Sequence, residues 1–510
     1  MKSLLQAVCF CLLSLCSLAQ NVTILPSGIT PAGSSWPSLS YEDILALPAP
    51  QKGNMAIDLT FDCLRFYNGK KWVKLLTETD SNMPSVKAWS EGGIGNDRGE
   101  AIAVDSFGNI YVTGTFDNTI TIGNTTFTDG GQTDIFIAKY NKNGELLWAK
   151  KEGQSDAEGT YGITVDANGN VFIAGYFYNS TSIGNTTLTS AGNQDFFVAK
   201  YSTNGVFQWV QKGGGNQPDL ISSLVTDANG NVYVGGYFRN TATFNNISVV
   251  SEGLDDIFLA KYASTGDIQW VRRAGGPNSD KCGKIAIDMD ENIYMTGSFQ
   301  GTVNFGNITI TGGGFADMFI AKCNTTTAAW EWVKRGGGGG NDYGKALAIS
   351  VTGDIIVAGT FEGTATFGTT TFISAGPSDI VIARYNNNGV EQSFKKEGGT
   401  GTETPKYLGI DANDNIYLIG DFYGIADFSG IPLTGFANSI DGFIAKYKSN
   451  NTIQWAQRLG GSTEEILGGA TVQANGNIYL TGYFNYDTSF GNMPISGAGN
   501  LDVFIVRVRD

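Results

Sequence analysis

Residues 109–116 read NIYVTGTF, and residues 134–140 read DIFIAKY. Both segments are rich in β-branched and aromatic residues and lie next to turn-forming residues, so both predict β-strands. The first segment recurs at steps of 61 or 62 residues, with copies that begin at Asn109, Asn170, Asn231, Asn292, Asp354, Asn415 and Asn477. Each copy is followed by a relative of the second segment, which begins at Asp134, Asp195, Asp256, Asp317, Asp379, Asp441 and Asp502.

Each repeat predicts four main strands, with a Thr/Asn/Gly-rich excursion between the second and the third. Four strands in each of seven repeats is the pattern of a β-propeller. The fourth strand carries an aromatic residue in only six repeats, at Trp148, Trp209, Trp270, Trp332, Phe394 and Trp455. The missing strand is supplied by VKAW at residues 86–89. We therefore predict an all-β fold, a seven-bladed β-propeller over residues 84–510, in which this N-terminal strand completes the last blade and leaves no open edge.

The D-x-x-G-N-[IV]-[YF]-V-x-G-x-F core and the D-[IF]-F-[IV]-A-K-Y strand resemble the SBBP repeats of exported bacterial β-propellers. The resemblance covers about residues 84–510. It implies a secreted or surface protein of a Bacteroidetes-type bacterium, and it brings no catalytic residues. Many relatives end in a secretion-signal domain, and we expect none here because the last repeat runs to Asp510.

The first residues, MKSLLQAVCFCLLSLCSLAQ, combine Lys2, an apolar core and a small-x-small site at Ser17–Ala19. This pattern predicts a signal peptide over residues 1–19, and hence a secreted, cell-surface or periplasmic protein. No later segment is apolar enough to cross a membrane. The chain has 48 acidic and 33 basic residues, a formal charge of −15, which disfavours nucleic acid as a partner. It has no histidine, which excludes Ser-His-Asp and Cys-His catalysis and histidine zinc sites.

Residues 20–83 hold five of the twelve prolines. We interpret them as an extended linker followed by a small β-hairpin from about Gly53 to Leu76, because Tyr67-Asn68-Gly69 lies between alternating apolar residues. Its role, in packing or in assembly, is left open. Cys63, Cys282 and Cys323 follow the signal peptide, and the sequence does not fix their redox state.

An acid lies twelve residues before the first residue of each recurring strand segment, the seven positions from Asn109 to Asn477. We expect these seven acids to form a ring around one mouth of the central channel. These acids are Asp97, Glu158, Asp219, Asp280, Asp342, Glu403 and Glu465. Such a ring would suit a cation or a cationic ligand. The alternative, which seven equivalent copies favour, is that each carboxylate caps its own turn.

The turn before the second strand also carries an acid in most repeats, and the fourth repeat is the richest in carboxylates, with Asp288, Asp290 and Glu291. Calcium needs about 6–8 converging oxygens. Asp288 and Asp290 are therefore weak metal candidates, and a tight turn is the favoured interpretation.

The position after each ring acid differs between repeats, and function in a repeat protein more often lies where the repeats differ. It reads Arg98, Gly159, Leu220, Lys281, Tyr343, Thr404 and Ile466, with Tyr161 and Tyr407 nearby. A channel mouth lined by cations, aromatic rings and acids could bind a sugar or a peptide. The alternative is that these loop residues vary between repeats without any function.

We expect a non-catalytic module that binds a glycan, a peptide or a cell-surface protein through its loop face, or that has a structural role in the cell envelope. The alternative is a carboxylate- or metal-dependent lyase or hydrolase acting on extracellular polysaccharide. No catalytic residue and no cofactor is predicted, with calcium left open. The sequence leaves the ligand, the oligomeric state and the final compartment undecided.

Overall fold

The computed structural model describes residues 22–25, 28–31, 38–39, 43–44, 46–47, 55–58, 63–67, 70, 72–74, 85–154, 156–436, 439–461, 464–491 and 493–509. Contacts divide the chain into two compact units, residues 1–84 and 85–510, and each is described by itself. The predicted signal peptide lies outside the described residues.

In the second unit each sequence repeat forms an antiparallel group of four strands, which we name inner, second, third and outer in the order of their pairing. The inner strands are Asp97–Val104, Glu158–Val165, Leu220–Thr226, Lys281–Ile287, Tyr343–Ile349, Thr402–Ile410 and Glu465–Val472. The second strands are Ile110–Phe116, Val171–Ile183, Val232–Phe244, Ile293–Phe299, Ile355–Phe361, Ile416–Tyr423 and Ile478–Phe484. The third strands are Asp134–Tyr140, Thr186–Tyr201, Ile247–Tyr262, Asp317–Asn324, Asp379–Tyr385, Ile440–Tyr447 and Asp502–Arg509. The outer strands are Leu146–Glu152, Phe207–Gly215, Ile268–Gly275, Ala329–Gly338, Glu391–Glu397, Ile453–Leu459 and Ser85–Glu91.

The Thr/Asn/Gly-rich excursions form short hairpins between the second and third strands. In the second and third repeats the hairpin continues directly from those strands. In the other repeats it has strands of its own, which are Thr119–Ile122 with Thr125–Thr128, Thr302–Phe305 with Ile308–Thr311, Thr364–Phe367 with Thr370–Ile373, Ile425–Phe428 with Ile431–Thr434, and Thr488–Phe490 with Met493–Ile495.

The inner strands form a closed ring, because each contacts the inner strand of the next repeat and the last contacts the first. The outer strand of the last group comes from the start of the unit. Ser85–Glu91 pairs antiparallel with Asp502–Arg509, and Trp89 lies opposite Ile505. The predictions of an all-β propeller and of closure by an N-terminal strand are therefore confirmed. Closure matters because it pairs a strand edge that would otherwise lie open.

The core lies between neighbouring groups, where the apolar face of one sheet packs on the next. Phe258 is fully buried, and its ring centroid lies 5.3 Å from that of Phe196 and 4.9 Å from that of Phe244. Cys282 and Cys323 are free thiols buried in such a cluster, and Cys323 fills the position that sister repeats give to tyrosine. No helix in the described part of the chain is long and apolar enough to span a membrane.

In the first unit, Val22–Leu25 pairs with Gly28–Pro31, and Ser38–Leu39, Met55–Asp58, Cys63–Tyr67 and Trp72–Lys74 form a four-stranded sheet. The last two strands pair antiparallel, with Tyr67 opposite Trp72. This pairing is the predicted hairpin, and Met55–Asp58 extends it on the other side.

Candidate functional site

The seven ring acids are buried, each with 0 or 1% of its surface exposed. In five repeats the carboxylate accepts a backbone N–H from the residue four positions earlier, for example Gly93 N–H to Asp97 Oδ2 at 2.7 Å and Gly215 N–H to Asp219 Oδ2 at 2.6 Å. In Glu465 the carboxylate accepts the Thr488 hydroxyl at 2.5 Å. These bonds are those of the turn-cap interpretation, and a ligand role for the acid ring stays a prediction.

Six of the ring acids also lie near a buried aspartate in the third strand of the preceding group. Burial, reinforced by this second carboxylate, raises the pKa of these six acids. It reaches about 8 for Asp97 and Glu158, about 7 for Asp219 and Glu403, and about 6 for Asp280 and Asp342. In five repeats a cation from the outer strand pairs with the third-strand aspartate, as Lys151–Asp134, Arg273–Asp256, Arg335–Asp317, Lys396–Asp379 and Arg458–Asp441. These acids are part of the packing between groups.

A β-bulge interrupts the pairing of the inner and second strands at the same place in every repeat. In the first repeat Gly99 pairs with Gly114 and Ala101 pairs with Thr113, so Glu100 is the extra residue. We call the seven extra residues the bulge ring, which consists of Glu100, Tyr161, Ser222, Gly283, Lys345, Lys406 and Gly468. A bulge re-aims the side chain that it inserts.

The bulge also explains the invariant glycine of the second strand. A Cβ on Gly114 would lie 1.8 Å from the carbonyl oxygen of Arg98, and one on Gly175 would lie 2.0 Å from that of Gly159. The inner strand can come this close only to a residue without a side chain. The glycine therefore maintains the local geometry from which the bulge ring projects.

All seven members of the bulge ring line one cavity of about 460 Å³, to which every inner strand contributes. This cavity lies in the central channel, because the closed ring of inner strands surrounds it, and we call it the channel mouth. Its volume falls in the range of small-molecule sites, about 300–1,000 Å³. Other lining side chains include Arg98, Lys284, Tyr407 and Tyr483.

Of the blade-varying residues and their aromatic neighbours that were predicted to bind a ligand, five line the cavity: Arg98, Tyr161, Thr404, Tyr407 and Ile466. Lys281 and Tyr343 begin their inner strands and have protein partners. The Lys281 ammonium lies 3.4 Å from Asp255 and 4.6 Å from the centre of the Tyr237 ring, and Tyr343 has the Lys345 ammonium 4.8 Å from its ring centre.

Asp288 is occupied by its own turn. Its Oδ1 accepts the Asn292 backbone N–H at 2.8 Å, and its Oδ2 accepts the Tyr294 hydroxyl at 3.1 Å. Asp290 is exposed. Within the described ranges no group of three or more Cys, Asp or Glu residues gathers as metal ligands would. The interpretation of these residues as a turn accounts for the contacts, and calcium binding stays a prediction.

Sequence reasoning did not single out Glu100, Lys284, Lys345 or Lys406. The available signal was variation between repeats, which is as strong at the bulge position as at the position after the ring acid. The bulge itself is not visible in the sequence. Regular alternation places the position after the ring acid and the bulge position on one face of the strand, and it places the residue after the bulge, such as Lys284, on the other face.

The family model named SBBP, beta-propeller repeat, matches residues 72–115 and 269–298. The chain carries β-propeller repeats. An uncharacterized WD repeat-containing protein, L264, of Acanthamoeba polyphaga mimivirus is 25% identical, over 71% of this chain and 33% of its own length. The regulatory protein FlaEY of Caulobacter vibrioides is 24% identical, over 65% of this chain and 36% of its own length. The chain thus spans about a third of the curated relatives that it matches.

Among solved structures, the quinohemoprotein alcohol dehydrogenase of Comamonas testosteroni aligns with a TM-score of 0.40 and 8% identity, over 84% of this chain and 77% of that one. At this level the similarity concerns the fold and carries no argument about activity.

Proposed function

We propose that the chain is a non-catalytic binding module that holds a glycan, a peptide or part of a surface protein at the mouth of its central channel. The observation that carries the proposal is the contrast between two rings on the same strands. The ring acids are nearly identical in all repeats, buried, and bonded to backbone. The bulge ring is open to a cavity and differs in almost every repeat.

A residue that is repeated in every blade is explained by the fold, which every blade shares. The fold does not explain why one position carries a carboxylate, a phenol, a hydroxyl, two ammonium groups and two glycines. An asymmetric wall around a rigid cavity presents different groups in different directions, which is what specific recognition of one ligand orientation requires. We further propose that the protein is exported, on the sequence pattern of residues 1–19.

Thermal unfolding of residues 20–510 with panels of glycans and peptides tests this proposal, since a ligand that binds only the folded state raises the midpoint. Ser222→Trp is the matched variant, because the new side chain fills the cavity from a half-buried position. We expect at least one probe to raise the midpoint of the wild type and not that of Ser222→Trp. A probe that stabilises both equally binds elsewhere and would contradict the proposal, as would a wild type that responds to no probe.

A further inference from the structure

The wall of the channel mouth has a charge opposite to that of the whole chain. Arg98, Lys284, Lys345 and Lys406 all line the cavity, and Glu100 is the one carboxylate among its lining residues. The complete chain carries a net charge of −15. A cationic cavity in an acidic protein concentrates anions locally while the rest of the surface repels them.

Lys406 has protein partners. Its ammonium lies 2.5 Å from Asp421 Oδ2 and donates to the Leu467 carbonyl oxygen at 2.6 Å. Lys406 therefore contributes little free positive charge, and it secures the sixth and seventh inner strands to each other.

Lys284 and Lys345 are different, because no carboxylate in the described part of the chain forms an ion pair with either ammonium. Each lies over an aromatic ring instead, with the Lys284 ammonium 5.2 Å from the centre of Tyr407 and the Lys345 ammonium 4.8 Å from that of Tyr343. Partial desolvation by the surrounding protein lowers the pKa of both lysines, although the side chain of Lys345 remains exposed to the cavity.

The position of Lys284 is unusual within the repeats. Its equivalents are Ala101, Gly162, Ser223, Ala346, Tyr407 and Gly469. Only Tyr407 among them is also large, and its ring is the one that Lys284 covers. The Tyr407 hydroxyl donates to the Gly468 carbonyl oxygen, which holds the ring in place. A rigid phenol thus positions the ammonium of Lys284 in the cavity.

Arg98 completes the cationic part of the wall. Its guanidinium lies 5.2 Å from the centre of the Tyr483 ring. Burial raises the pKa of the neighbouring Glu100 carboxyl, against the opposing effect of Arg98 and Lys406.

We propose that the channel mouth binds an oxyanion, a carboxylate, sulfate or phosphate group, between Lys284, Lys345 and Arg98. This inference rests on the proposed function and names the chemical class of its ligand. The same chemistry is offered by a free inorganic anion and by an anionic group on a sugar chain, and the cavity of about 460 Å³ admits either. Charge-assisted bonds to such a group would repay the desolvation of both lysines.

Isothermal titration of residues 20–510 tests the proposal with inorganic phosphate, sulfate, glucuronate and a glucuronate-containing oligosaccharide. Glucose is the neutral control, and all titrations are matched in ionic strength with potassium chloride. We expect at least one oxyanion to bind one per chain and glucose not to bind. Binding of phosphate or sulfate would indicate a free anion, and binding of the uronate probes alone would indicate a sugar chain.

Lys284→Met and Lys345→Met remove one charge each and keep most of the side-chain length. We expect each to weaken binding by about tenfold or more, since each removes a charge-assisted contact. Lys448→Met is the matched control, because Lys448 is an exposed lysine outside the cavity, in the turn between a third and an outer strand. It should change the affinity by less than about twofold, as expected for a screened surface charge. Circular dichroism and the unfolding midpoint confirm that each variant is folded.

Three results would overturn the inference: no oxyanion binds, glucose binds as well as glucuronate, or affinity survives both cavity variants. If neutral glycans or peptides raise the wild-type midpoint and lose their effect in Ser222→Trp, while oxyanions do not bind, the anion assignment fails and the binding module stands. If oxyanion binding is unaffected by Ser222→Trp, the channel mouth is not the site and both proposals fail.

Discussion

The closing group of strands lacks a cation that its sister groups possess. In each repeat, one outer-strand residue pairs with the residue two positions after the third-strand aspartate. In six repeats this outer-strand residue is a lysine or an arginine: Lys151, Lys212, Arg273, Arg335, Lys396 and Arg458. The seventh places Ser90 opposite Phe504. The buried Asp502 therefore has no such partner, and it helps to raise the pKa of Asp97 to about 8. We predict that Ser90→Lys stabilises the protein above neutral pH.

The raised pKa of Asp97 sets the direction in which stability changes with pH. A carboxyl whose pKa is higher in the folded state binds its proton more tightly there, so stability is lost as pH rises from the unfolded value, about 4, through the folded value. For Asp97 that window ends at about 8. A cation at position 90 favours the ionised pair and lowers both pKa values, so its benefit is absent at about pH 5 and full at about pH 9.

A charge-assisted hydrogen bond contributes about 1.5–3 kcal/mol, and ordering a lysine side chain costs up to about 2 kcal/mol. The Ser90 hydroxyl bond to the Ser496 carbonyl oxygen, 3.0 Å long, is lost as well. We therefore expect a net gain of up to about 1 kcal/mol at high pH. With about 2 cal/mol/K of unfolding entropy per residue, this corresponds to about 1 °C in the midpoint of a unit of this size.

The assay is differential scanning calorimetry of wild type, Ser90→Lys and Ser90→Met at about pH 5, 7 and 9. Ser90→Met has the length of lysine without its charge and should give no rise with pH. Lys151→Met, which removes an existing cation, should show the opposite trend. Equal shifts of Ser90→Lys at pH 5 and pH 9, or an equal gain from Ser90→Met, would refute the electrostatic reasoning.

Three further outcomes are expected. A chain that starts at residue 92 should unfold at least about 10 °C below one that starts at residue 85, because it loses the closing strand; equal midpoints in calorimetry would count against closure. Asp227→Ala should cost about 1–3 kcal/mol in urea unfolding, because Asp227 accepts bonds from Asn229, Asn231 and Tyr233 that would be left unmet. Phe258→Ala should cost about 3–5 kcal/mol by the same assay, since it opens a cavity in a fully buried aromatic cluster; a smaller loss would mean that the neighbours collapse into the space.

Most of the fold could be predicted because the repeat makes one pattern visible seven times. The spacing of strand landmarks indicated four strands per repeat, and one missing aromatic residue indicated that Trp89 belongs to the last group. The turn-cap interpretation agrees with the contacts of Asp97 and of Asp105, the acid before the second strand in the first repeat, because short aspartate side chains commonly accept N–H groups of their own turn. Asp97 Oδ2 accepts the Gly93 N–H at 2.7 Å, and Asp105 Oδ1 accepts the Asn109 N–H at 2.8 Å.

The candidate site could be predicted only in part. Arg98 was chosen because the repeats differ at its position, and Tyr161 was chosen as a nearby aromatic residue; both line the cavity. Lys284 was missed because a β-bulge shifts the alternation of side chains in the inner strand, and nothing local in the sequence marks the bulge. Lys345 lies two residues after Tyr343, and only Tyr343 was singled out for its variation between repeats. The joint charge of the cavity depends on residues about 60 positions apart that meet only when the ring closes.

A ligand that binds at the channel mouth shields the lysines there, and lysine footprinting by acetylation and mass spectrometry detects this shielding. The wild type is labelled alone and with the probe that gives the largest rise in unfolding midpoint. We expect this probe to slow the acetylation of Lys345, which is exposed in the cavity, and to leave that of the exposed Lys448 unchanged. Unchanged labelling of Lys345 together with protection of Lys448 or of other lysines outside the cavity would contradict binding at the channel mouth.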